Sequence, residues 1–318
     1  MFGHDIIVVG ASAGGVEALP RLIAQLPSTL PASIFVVLHT APYGQSQLAQ
    51  IIRRTAALTV SKGIDGQRFR KRHVYVAPPD YHLQIDGTRM RLSRGPRENF
   101  HRPAIDVLFR SAAECYRERV VGVVLTGYLD DGTWGLHDVK KHGGVAIVQD
   151  PKDAVAPEMP QSAARNVEVD YCLPLIEIAP LLHRLATTFD ISEKKNRVRR
   201  MKAPPQSPAG MEKQFGPPTS LVCPECDGPL WELKNGGPLQ FRCHVGHALS
   251  PATLLAGQTE GVERALWSAV RSLDEQASLL SRLTARGTRI ESLEKSWKAK
   301  AREHEKNANI IRKLLRRR

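Results

Sequence analysis

The stretch Asp5-Ile-Ile-Val-Val-Gly-Ala-Ser-Ala-Gly-Gly15 decides the fold. Its first half is a continuous apolar run of strand length, and its second half is a turn of small residues. From Val16 onward the apolar side chains recur at helical spacing, so the stretch predicts a strand, a tight turn and an amphipathic helix. A continuous apolar run is typical of a strand that is covered on both faces in a parallel sheet.

The same alternation of apolar runs and amphipathic segments continues to about residue 190. Strands separated by helices indicate a parallel sheet with both faces covered. Asp86-Gly87, between two short apolar runs, is a strong signal for an antiparallel hairpin. Residues 1–190 are therefore predicted to form an α/β domain with a doubly wound, mainly parallel sheet and one added hairpin. The expected strands lie at 5–10, 34–38, 73–77, 120–126 and 145–149, and the expected helices at 15–26, 45–54, 104–118 and 135–142.

Charge divides the 318 residues into two unlike parts. Of the formal net charge of +13, residues 1–190 carry +2 (21 basic, 19 acidic) and residues 191–318 carry +11 (24 basic, 13 acidic). The basic residues lack interleaved aromatic side chains, which favours a solvated helical surface over a nucleic-acid interface. No apolar run approaches the roughly 20 residues of a membrane helix. With no signal-peptide pattern and an odd number of cysteines, five, we expect a cytoplasmic protein without membrane insertion or a disulfide framework.

Three interpretations of Gly10-Ala-Ser-Ala-Gly-Gly15 compete. A dinucleotide-binding turn needs glycine where Ser12 stands. A purely structural turn needs only small residues. A nucleophile elbow, G-x-S-x-G, projects a serine hydroxyl at the N-terminus of a helix. The third interpretation makes Ser12 a candidate nucleophile, which requires a base that is itself oriented by an acid.

The base and the acid should come from the carboxyl ends of other strands, where open α/β sheets place their sites. His39 directly follows the expected strand 34–38, and Asp130 and Asp131 lie in a glycine-bounded loop after 120–126. The alternatives are a capped surface histidine and an Asx turn or helix N-cap. The order Ser, His, Asp differs from that of the α/β-hydrolases, so a standard member of that fold is not expected.

Five segments of the chain resemble, in this order, the catalytic domain of the chemotaxis protein-glutamate methylesterase family (CheB-type). The resemblance runs over about residues 4–186, and the number of separate motifs makes it specific. The segments are Ile7-Val-Val-Gly-Ala-Ser-Ala-Gly-Gly15, Val37-Leu-His39, Val76-Ala-Pro-Pro-Asp80, His101-Arg-Pro-Ala-Ile-Asp-Val-Leu-Phe109 and Gly122-Val-Val-Leu-Thr-Gly-Tyr-Leu-Asp-Asp-Gly132.

The resemblance implies a catalytic triad of Ser12 as nucleophile, His39 as base and Asp131 as orienting acid. Asp131 is preferred over Asp130 because the family's loop ends in Asp-Gly.

The resemblance also implies residues around the oxyanion and the substrate cleft. Ala13 and Tyr128 stand where the family usually has Thr and Met, and the backbone amide at Tyr128 is expected to help hold the oxyanion. Arg102 and Asp106 are expected to shape the rim of the cleft, the alternative being the exposed start of a helix.

The implied activity is hydrolysis of glutamate methyl esters on a chemoreceptor-type protein through an acyl-enzyme, without a catalytic cofactor. The same steps would deamidate glutamine. The family usually carries a phosphorylatable receiver domain before the catalytic domain, whereas here the resemblance starts at residue 4. Regulation by a fused receiver is therefore not expected, and the substrate protein stays open. The alternative function is a catalytically idle α/β adaptor that binds signalling partners through its C-terminal part.

The C-terminal part carries a second candidate site. Cys223-Pro-Glu-Cys226 is followed, after sixteen residues, by Cys243-His-Val-Gly-His247, a spacing typical of zinc sites. We expect a zinc-ribbon-like module over 221–249, with His247 rather than His244 as the fourth ligand because ligation by adjacent Cys and His is strained. The alternatives are free cysteines and a redox-active C-x-x-C, which needs a thioredoxin-like unit that the surrounding sequence lacks.

The remaining residues are expected to connect and to dock. Residues 191–220 combine basic residues with prolines and are predicted to form a linker that its prolines partly extend. Residues 250–318 show apolar residues at 4–3 spacing and are predicted to form a helical hairpin or short coiled coil. These helices are a candidate docking site for a signalling partner.

Overall fold

The computed structural model describes residues 3–41, 46–188, 208–233, 236–286 and 290–316. They group into two compact units, Met1–Leu254 and Leu255–Arg318.

The first unit contains a parallel sheet, a separate hairpin and a small antiparallel sheet. Its strands are β1 (Ile6–Ala11), β2 (Ser33–Leu38), β3 (Thr59–Lys62), β4 (His73–Val76), β5 (His82–Asp86), β6 (Arg89–Ser93), β7 (Val120–Val124), β8 (Val145–Gln149), β9 (Tyr171–Leu173), β10 (Leu230–Glu232), β11 (Phe241–Cys243) and β12 (Ala248–Leu249). Seven of them form the parallel sheet, in the order β3-β4-β2-β1-β7-β8-β9.

Helices cover both faces of the parallel sheet. They are α1 (Gly15–Ala24), α2 (Leu48–Arg53), α3 (Ile105–Tyr116), α4 (Thr133–Lys141), α5 (Glu158–Asn166) and α6 (Leu175–Thr187). Alternate residues of β1 enter different cores: Ile7 and Val9 pack with α1, α2 and α6, whereas Ile6 and Val8 pack with α3, α4 and α5. Because both faces of β1 are buried, its sequence is a continuous apolar run. The predicted doubly wound sheet is confirmed.

The predicted hairpin is also confirmed, with Gly87 in the turn at a φ of 61°. It forms a sheet of its own rather than an edge of the main sheet. The sequence patterns missed β3 and β9, which are the two edge strands of the main sheet. They are four and three residues long, and each exposes part of its surface, so neither shows the apolar run of a central strand.

The predicted linker is only partly described. Residues 191–207 lie outside the described residues, while Pro208–Phe215 form a helix, α7. This portion of the predicted linker is therefore helical rather than extended. Proline is compatible with the first position of a helix, and the buried Met211 gives the helix an apolar anchor.

Residues 221–249 form the small sheet β10-β11-β12 and belong to the first unit. The indole N–H of Trp134 in α4 donates to the Leu239 carbonyl oxygen at 3.3 Å, and the Asn99 backbone N–H donates to the Ala248 carbonyl oxygen at 2.8 Å. The module is thus packed against the parallel-sheet domain.

The two expected C-terminal helices are present as α8 (Pro251–Arg286) and α9 (Glu291–Leu315), the first of which begins inside the first unit. Within the second unit, Arg312 of α9 forms an ion pair with Asp274 of α8. Of the turn that the sequence predicts at 286–288, residues 287 and 288 lie outside the described residues. None of the described helices is both long and apolar enough to cross a lipid bilayer.

Candidate active site

The winding of the sheet reverses between β1 and β7. Helices that follow β1 and β2 pack on one face, whereas those that follow β7 and β8 pack on the other. In open α/β sheets, ligands bind beyond the carboxyl ends of the strands at such a switch point. Ser12 lies there: it directly follows β1, and its backbone N–H donates to the carbonyl oxygen of Thr126, just beyond β7, at 2.9 Å.

Two glycines shape the surroundings of Ser12. Gly14, immediately before α1, has a φ of 77°, a left-handed conformation that suits glycine. A Cβ on Gly127 would lie 2.8 Å from the Ser12 Cβ, so glycine lets the loop after β7 approach the serine closely. Ser12 remains partly exposed at the N-terminus of α1, where backbone N–H groups stabilise negative charge.

His39 occupies the equivalent position on the neighbouring strand. Ala11 pairs with Leu38 in the parallel register of β1 and β2, and these strands lie about 4.8 Å apart. The His39 side chain is 5% exposed, and its Nε2 lies 2.7 Å from Oδ2 of Asp131. Its Nδ1 is buried and has no hydrogen-bond partner among the described residues.

Asp131 is a buried carboxylate surrounded by donors. The backbone N–H groups of Ile105 and Asp106 donate to it at 2.7 and 3.3 Å, and Asn99 Nδ2 donates at 3.1 Å. Burial alone raises the pKa of Asp131, but the hydrogen bond and charge of His39, with the backbone donors, outweigh burial and hold the pKa below its usual range. Because an ionised carboxylate only accepts, His39 Nε2 carries a hydrogen, and in the neutral form of the ring Nδ1 carries the lone pair.

Asp130 makes different contacts. Its Oδ1 accepts hydrogen bonds from the Ser250 Oγ at 2.7 Å and the Thr253 Oγ1 at 3.1 Å. Of the two aspartates in the loop, the structure therefore pairs Asp131 with His39.

The expectation that Asp106 shapes the rim of the cleft is wrong, and so is the alternative of an exposed helix start. Asp106 is 1% exposed, and its Oδ1 accepts the backbone N–H groups of Gly132 at 3.0 Å and Gly135 at 2.6 Å. Burial and the neighbouring charge of Asp131 raise the pKa of Asp106 well above its ordinary value. Asp106 therefore ties α3 to the start of α4 from inside the core.

The other residues expected around the cleft lie beside Ser12 and His39. Ala13 adjoins Ser12, and Tyr128 adjoins Gly127 with 60% of its surface exposed. Among the described residues, the backbone N–H groups of Ala13 and Tyr128 have no hydrogen-bond partner. Arg102 donates from Nε and Nη2 to Oδ1 of Asp80 and lines a cavity of about 390 Å³ that opens beside His39.

Sequence reasoning missed two residues of this site, His101 and Asn99. The His101 ring lines the same cavity and stacks on His39, with ring centroids 3.5 Å apart. Burial, and then the neighbouring His39, lower the pKa of His101 to about 4, so His101 is neutral at pH 7. Neither residue lies at a strand end; the available signal for His101 was its place in one of the family-like segments, whereas a loop asparagine gives none.

The four expected metal ligands come together in the small sheet. Cys226 and Cys243 Sγ are 3.6 Å apart, and His247 Nδ1 lies 3.7 Å from Cys223 Sγ and 3.5 Å from Cys243 Sγ. All four ligand atoms lie within 4.8 Å of one another. A tetrahedral zinc ion with ordinary bond lengths separates its ligands by about 3.5–3.8 Å, so the donor set and spacing fit zinc.

The fold and the site define a doubly wound α/β protein with a serine and a hydrogen-bonded histidine–aspartate pair at the switch point of its sheet. Residues 7–182, more than half of the chain, match the family model described as CheB methylesterase. The chain belongs to the CheB methylesterase family.

Known proteins match over the same part of the chain. A Leptospira interrogans protein, provisionally named protein-glutamate methylesterase/protein-glutamine glutaminase, is 39% identical over 183 residues, 57% of this chain and 95% of that protein. The Thermotoga maritima protein-glutamate methylesterase/protein-glutamine glutaminase is 36% identical over 184 residues, 57% of this chain and 54% of its own length. The crystal structure of the Thermotoga maritima CheB methylesterase catalytic domain is 36% identical, has a TM-score of 0.56, and covers 57% of this chain and 98% of that one.

We expect Asp131→Asn to lower the kcat of ester hydrolysis by roughly 10⁴-fold, as in other Ser-His-Asp sites, because an amide cannot hold Nε2–H of His39 as a carboxylate does. Asp130→Asn is the matched control: its amide oxygen can still accept from Ser250 and Thr253, so activity should stay within a few-fold. Steady-state kinetics of both variants measure the two kcat values. A larger fall in kcat for Asp130→Asn than for Asp131→Asn would contradict the assignment of Asp131 as the acid that orients His39.

Proposed function

We propose that this chain is a protein-glutamate methylesterase that also deamidates glutamine, with Ser12, His39 and Asp131 as its catalytic triad. One observation carries the proposal: His39 Nε2 donates to the buried Asp131, while Nδ1 keeps an unpartnered lone pair among the described residues. An oriented imidazole beside a serine at a helix N-terminus is the arrangement that activates a serine nucleophile. Family membership and the names of the relatives support glutamate methyl esters and glutamine as substrates.

The first half-reaction forms an acyl-enzyme. Ser12 Oγ attacks the carbonyl carbon of the ester while His39 Nδ1 accepts the hydroxyl proton. Asp131 stabilises the resulting imidazolium through the bond at Nε2. His39 then returns the proton to the leaving oxygen, the bond between the carbonyl carbon and that oxygen breaks, and methanol departs. With glutamine as substrate the same proton would leave with ammonia.

The second half-reaction restores the serine. His39 Nδ1 accepts a proton from water, whose oxygen attacks the acyl carbon, and that proton passes to Ser12 Oγ as the bond between the acyl carbon and Oγ breaks. The glutamic acid side chain is released and loses its remaining proton to solvent. Every step uses groups of this chain, so the proposal requires no catalytic cofactor.

The oxyanion of each tetrahedral intermediate needs hydrogen-bond donors that are not already bonded to another acceptor. The backbone N–H groups of Ala13 and Tyr128 fit this role, because they flank Ser12 and Gly127 and lack partners among the described residues.

The neutral ring of His101 packs on His39, which limits rotation of the base without placing a second positive charge beside the imidazolium.

The substrate we propose is a methylated glutamate on a chemoreceptor-type protein. The exposed position of Tyr128 and the open cavity beside His39 support a site that accepts a side chain presented by another protein rather than an enclosed metabolite.

We expect Ser12→Ala to abolish hydrolysis of a glutamate methyl ester peptide and to remove labelling by a fluorophosphonate, because the acyl-enzyme can no longer form. The matched control is Ser61→Ala, since Ser61 Oγ also contacts a histidine, His73 Nε2, at 2.9 Å, on strands β3 and β4. The control should retain activity within about twofold. Hydrolysis that survives Ser12→Ala would refute Ser12 as the nucleophile. A folded wild-type chain without hydrolysis would favour the catalytically idle adaptor.

We further infer that Cys223, Cys226, Cys243 and His247 bind one structural zinc ion. The convergence of four ligand atoms within 4.8 Å of one another supports zinc over a redox pair, which would use only two thiols. When bound, the ion supplies folding energy to a small sheet whose own apolar core is limited.

Elemental analysis should find about one zinc per chain in protein purified under reducing conditions. Cys243→Ser should lower the zinc content sharply, because it removes a buried ligand of the cluster. Cys172→Ser, which changes an exposed cysteine outside the cluster, should leave zinc content unchanged. A wild-type chain that binds no zinc even after zinc is added would refute the site.

A further inference from the structure

The loop segment 97–101, between β6 and α3, touches the proposed triad through two side chains. The His101 ring stacks on His39. Asn99 is buried, and its Nδ2 donates to Oδ1 of Asp131 at 3.1 Å and to Oδ2 of Asp106 at 3.0 Å. The position of the orienting acid therefore depends on where this segment lies.

The same segment is bound by residues that follow the Cys/His cluster in sequence. The Asn99 backbone N–H donates to the Ala248 carbonyl oxygen at 2.8 Å, and the Ser250 backbone N–H donates to Asn99 Oδ1 at 3.0 Å. An amide side chain has its oxygen on one side and its NH₂ group on the other. The bond from Ser250 therefore fixes the orientation in which Nδ2 meets Asp131.

A buried charge network adds a second connection. Glu98 lies 2.7 Å from Nη2 of Arg110 in α3 and 3.6 Å from Nη2 of Arg242 in β11. Burial opposes ionisation of Glu98, but the charges of Arg110 and Arg242 outweigh it and lower the pKa of Glu98. A buried carboxylate of this kind depends on its cationic partners, so Glu98 ties the segment to α3 and to β11.

These connections start next to the metal ligands. Arg242 directly precedes Cys243, and Ala248 directly follows His247. The Cys243 backbone N–H also donates to the His247 carbonyl oxygen at 3.0 Å. A change in the geometry of the cluster is therefore passed to the residues that hold segment 97–101 with no intervening flexible chain.

Segment 97–101 has a backbone that needs outside support. Asn99 and Phe100 have φ values of 50° and 65°, two consecutive left-handed conformations in residues other than glycine. Such conformations are unfavourable for L-residues and persist where surrounding contacts impose them. The contacts with Ala248 and Ser250 supply that support.

We propose that Asn99 is a positioning residue for Asp131, and that the Cys/His cluster, through Ala248 and Ser250, holds Asn99 in its productive orientation. The inference rests on the proposed triad. It assigns to the cluster a role in catalysis that involves no contact with substrate. Loss of zinc would loosen the cluster, free the Asn99 side chain to rotate and leave Asp131 with one donor fewer.

The first test is Asn99→Gly in the full chain, because glycine tolerates the left-handed backbone while removing the amide side chain. We expect kcat for a glutamate methyl ester peptide to fall about 10- to 100-fold, the effect of losing a hydrogen bond to a charged group, with KM within about twofold. Asn99→Asp keeps an oxygen that can accept from Ser250 but loses the N–H donors to Asp131 and Asp106, so its kcat should fall at least as far. The matched control is Asn166→Ala, an asparagine on α5 whose Nδ2 bonds Ser162, which should leave both constants unchanged.

The second test removes zinc from the wild-type chain with a chelator and restores it with zinc ions alone. Stripping should lower kcat about as far as Asn99→Gly does and should speed hydrogen exchange of the peptide that covers 97–101. In the Asn99→Gly variant, removal of zinc should lower kcat further by less than about threefold, because the effects of two coupled changes are not additive. Circular dichroism should show that the parallel sheet stays folded throughout.

Several results would overturn the proposal. The first is a kcat of Asn99→Gly within twofold of the wild-type value, and the second is a fall in the kcat of Asn99→Gly on zinc removal as large as that of the wild type. The third is an unchanged rate of hydrogen exchange at 97–101, and the fourth is unfolding of the whole parallel sheet without zinc. If Asn99→Gly does not fold, the stripping and exchange measurements on the wild type decide alone. Ser12→Ala in the same assay separates the two proposals, since activity that survives it refutes the triad, whereas the exchange measurement reads the coupling without reference to activity.

Discussion

A negative charge buried beyond the carboxyl ends of the central strands is the constraint on which the rest of this structure depends. The Asp131 side chain is 2% exposed, and a carboxylate removed from water needs several donors to remain ionised. Its donors come from His39 after β2, from the N-terminus of α3 and from Asn99, while Asp131 itself follows β7. Four parts of the chain must meet at one point, and the strand order β2-β1-β7 places Ser12 beside that point.

The same requirement explains how α3 and α4 pack. The first N–H groups of a helix lack partners within the helix. Asp131, just before α4, accepts the N–H groups that begin α3, and Asp106 in α3 accepts those of Gly132 and Gly135 at the beginning of α4. Each helix thus caps the other with a buried carboxylate. The two carboxyl groups lie close together, and their pKa values move apart. Burial and the charge of Asp131 raise the pKa of Asp106, whereas the pKa of Asp131 is lowered.

The family match ends at residue 182, yet the first compact unit continues to Leu254. The residues beyond the match contribute the Cys/His cluster, the partly buried Arg242 and the backbone groups that meet Asn99. In this chain, the surroundings of the proposed triad are therefore completed by a part that the comparison with the family does not cover. Helix α8 begins at Pro251 within the first unit, and its residues from Leu255 onward belong to the second unit, shortly after Ser250 and Thr253, which bind Asp130.

The sequence by itself determined the doubly wound sheet, the place of Ser12 and His39 after neighbouring strands, and the four residues of the Cys/His cluster, because apolar periodicity and motif spacing are local signals. The resemblance to the family selected Asp131 over Asp130. Only the tertiary structure decided that Asp106 lies in the core, that His101 stacks on His39, and that Asn99 meets Ser250, 151 residues away. Contacts of that kind follow from the docking of whole elements, which fixes side chains from distant loops against one another and leaves no periodic pattern in the chain.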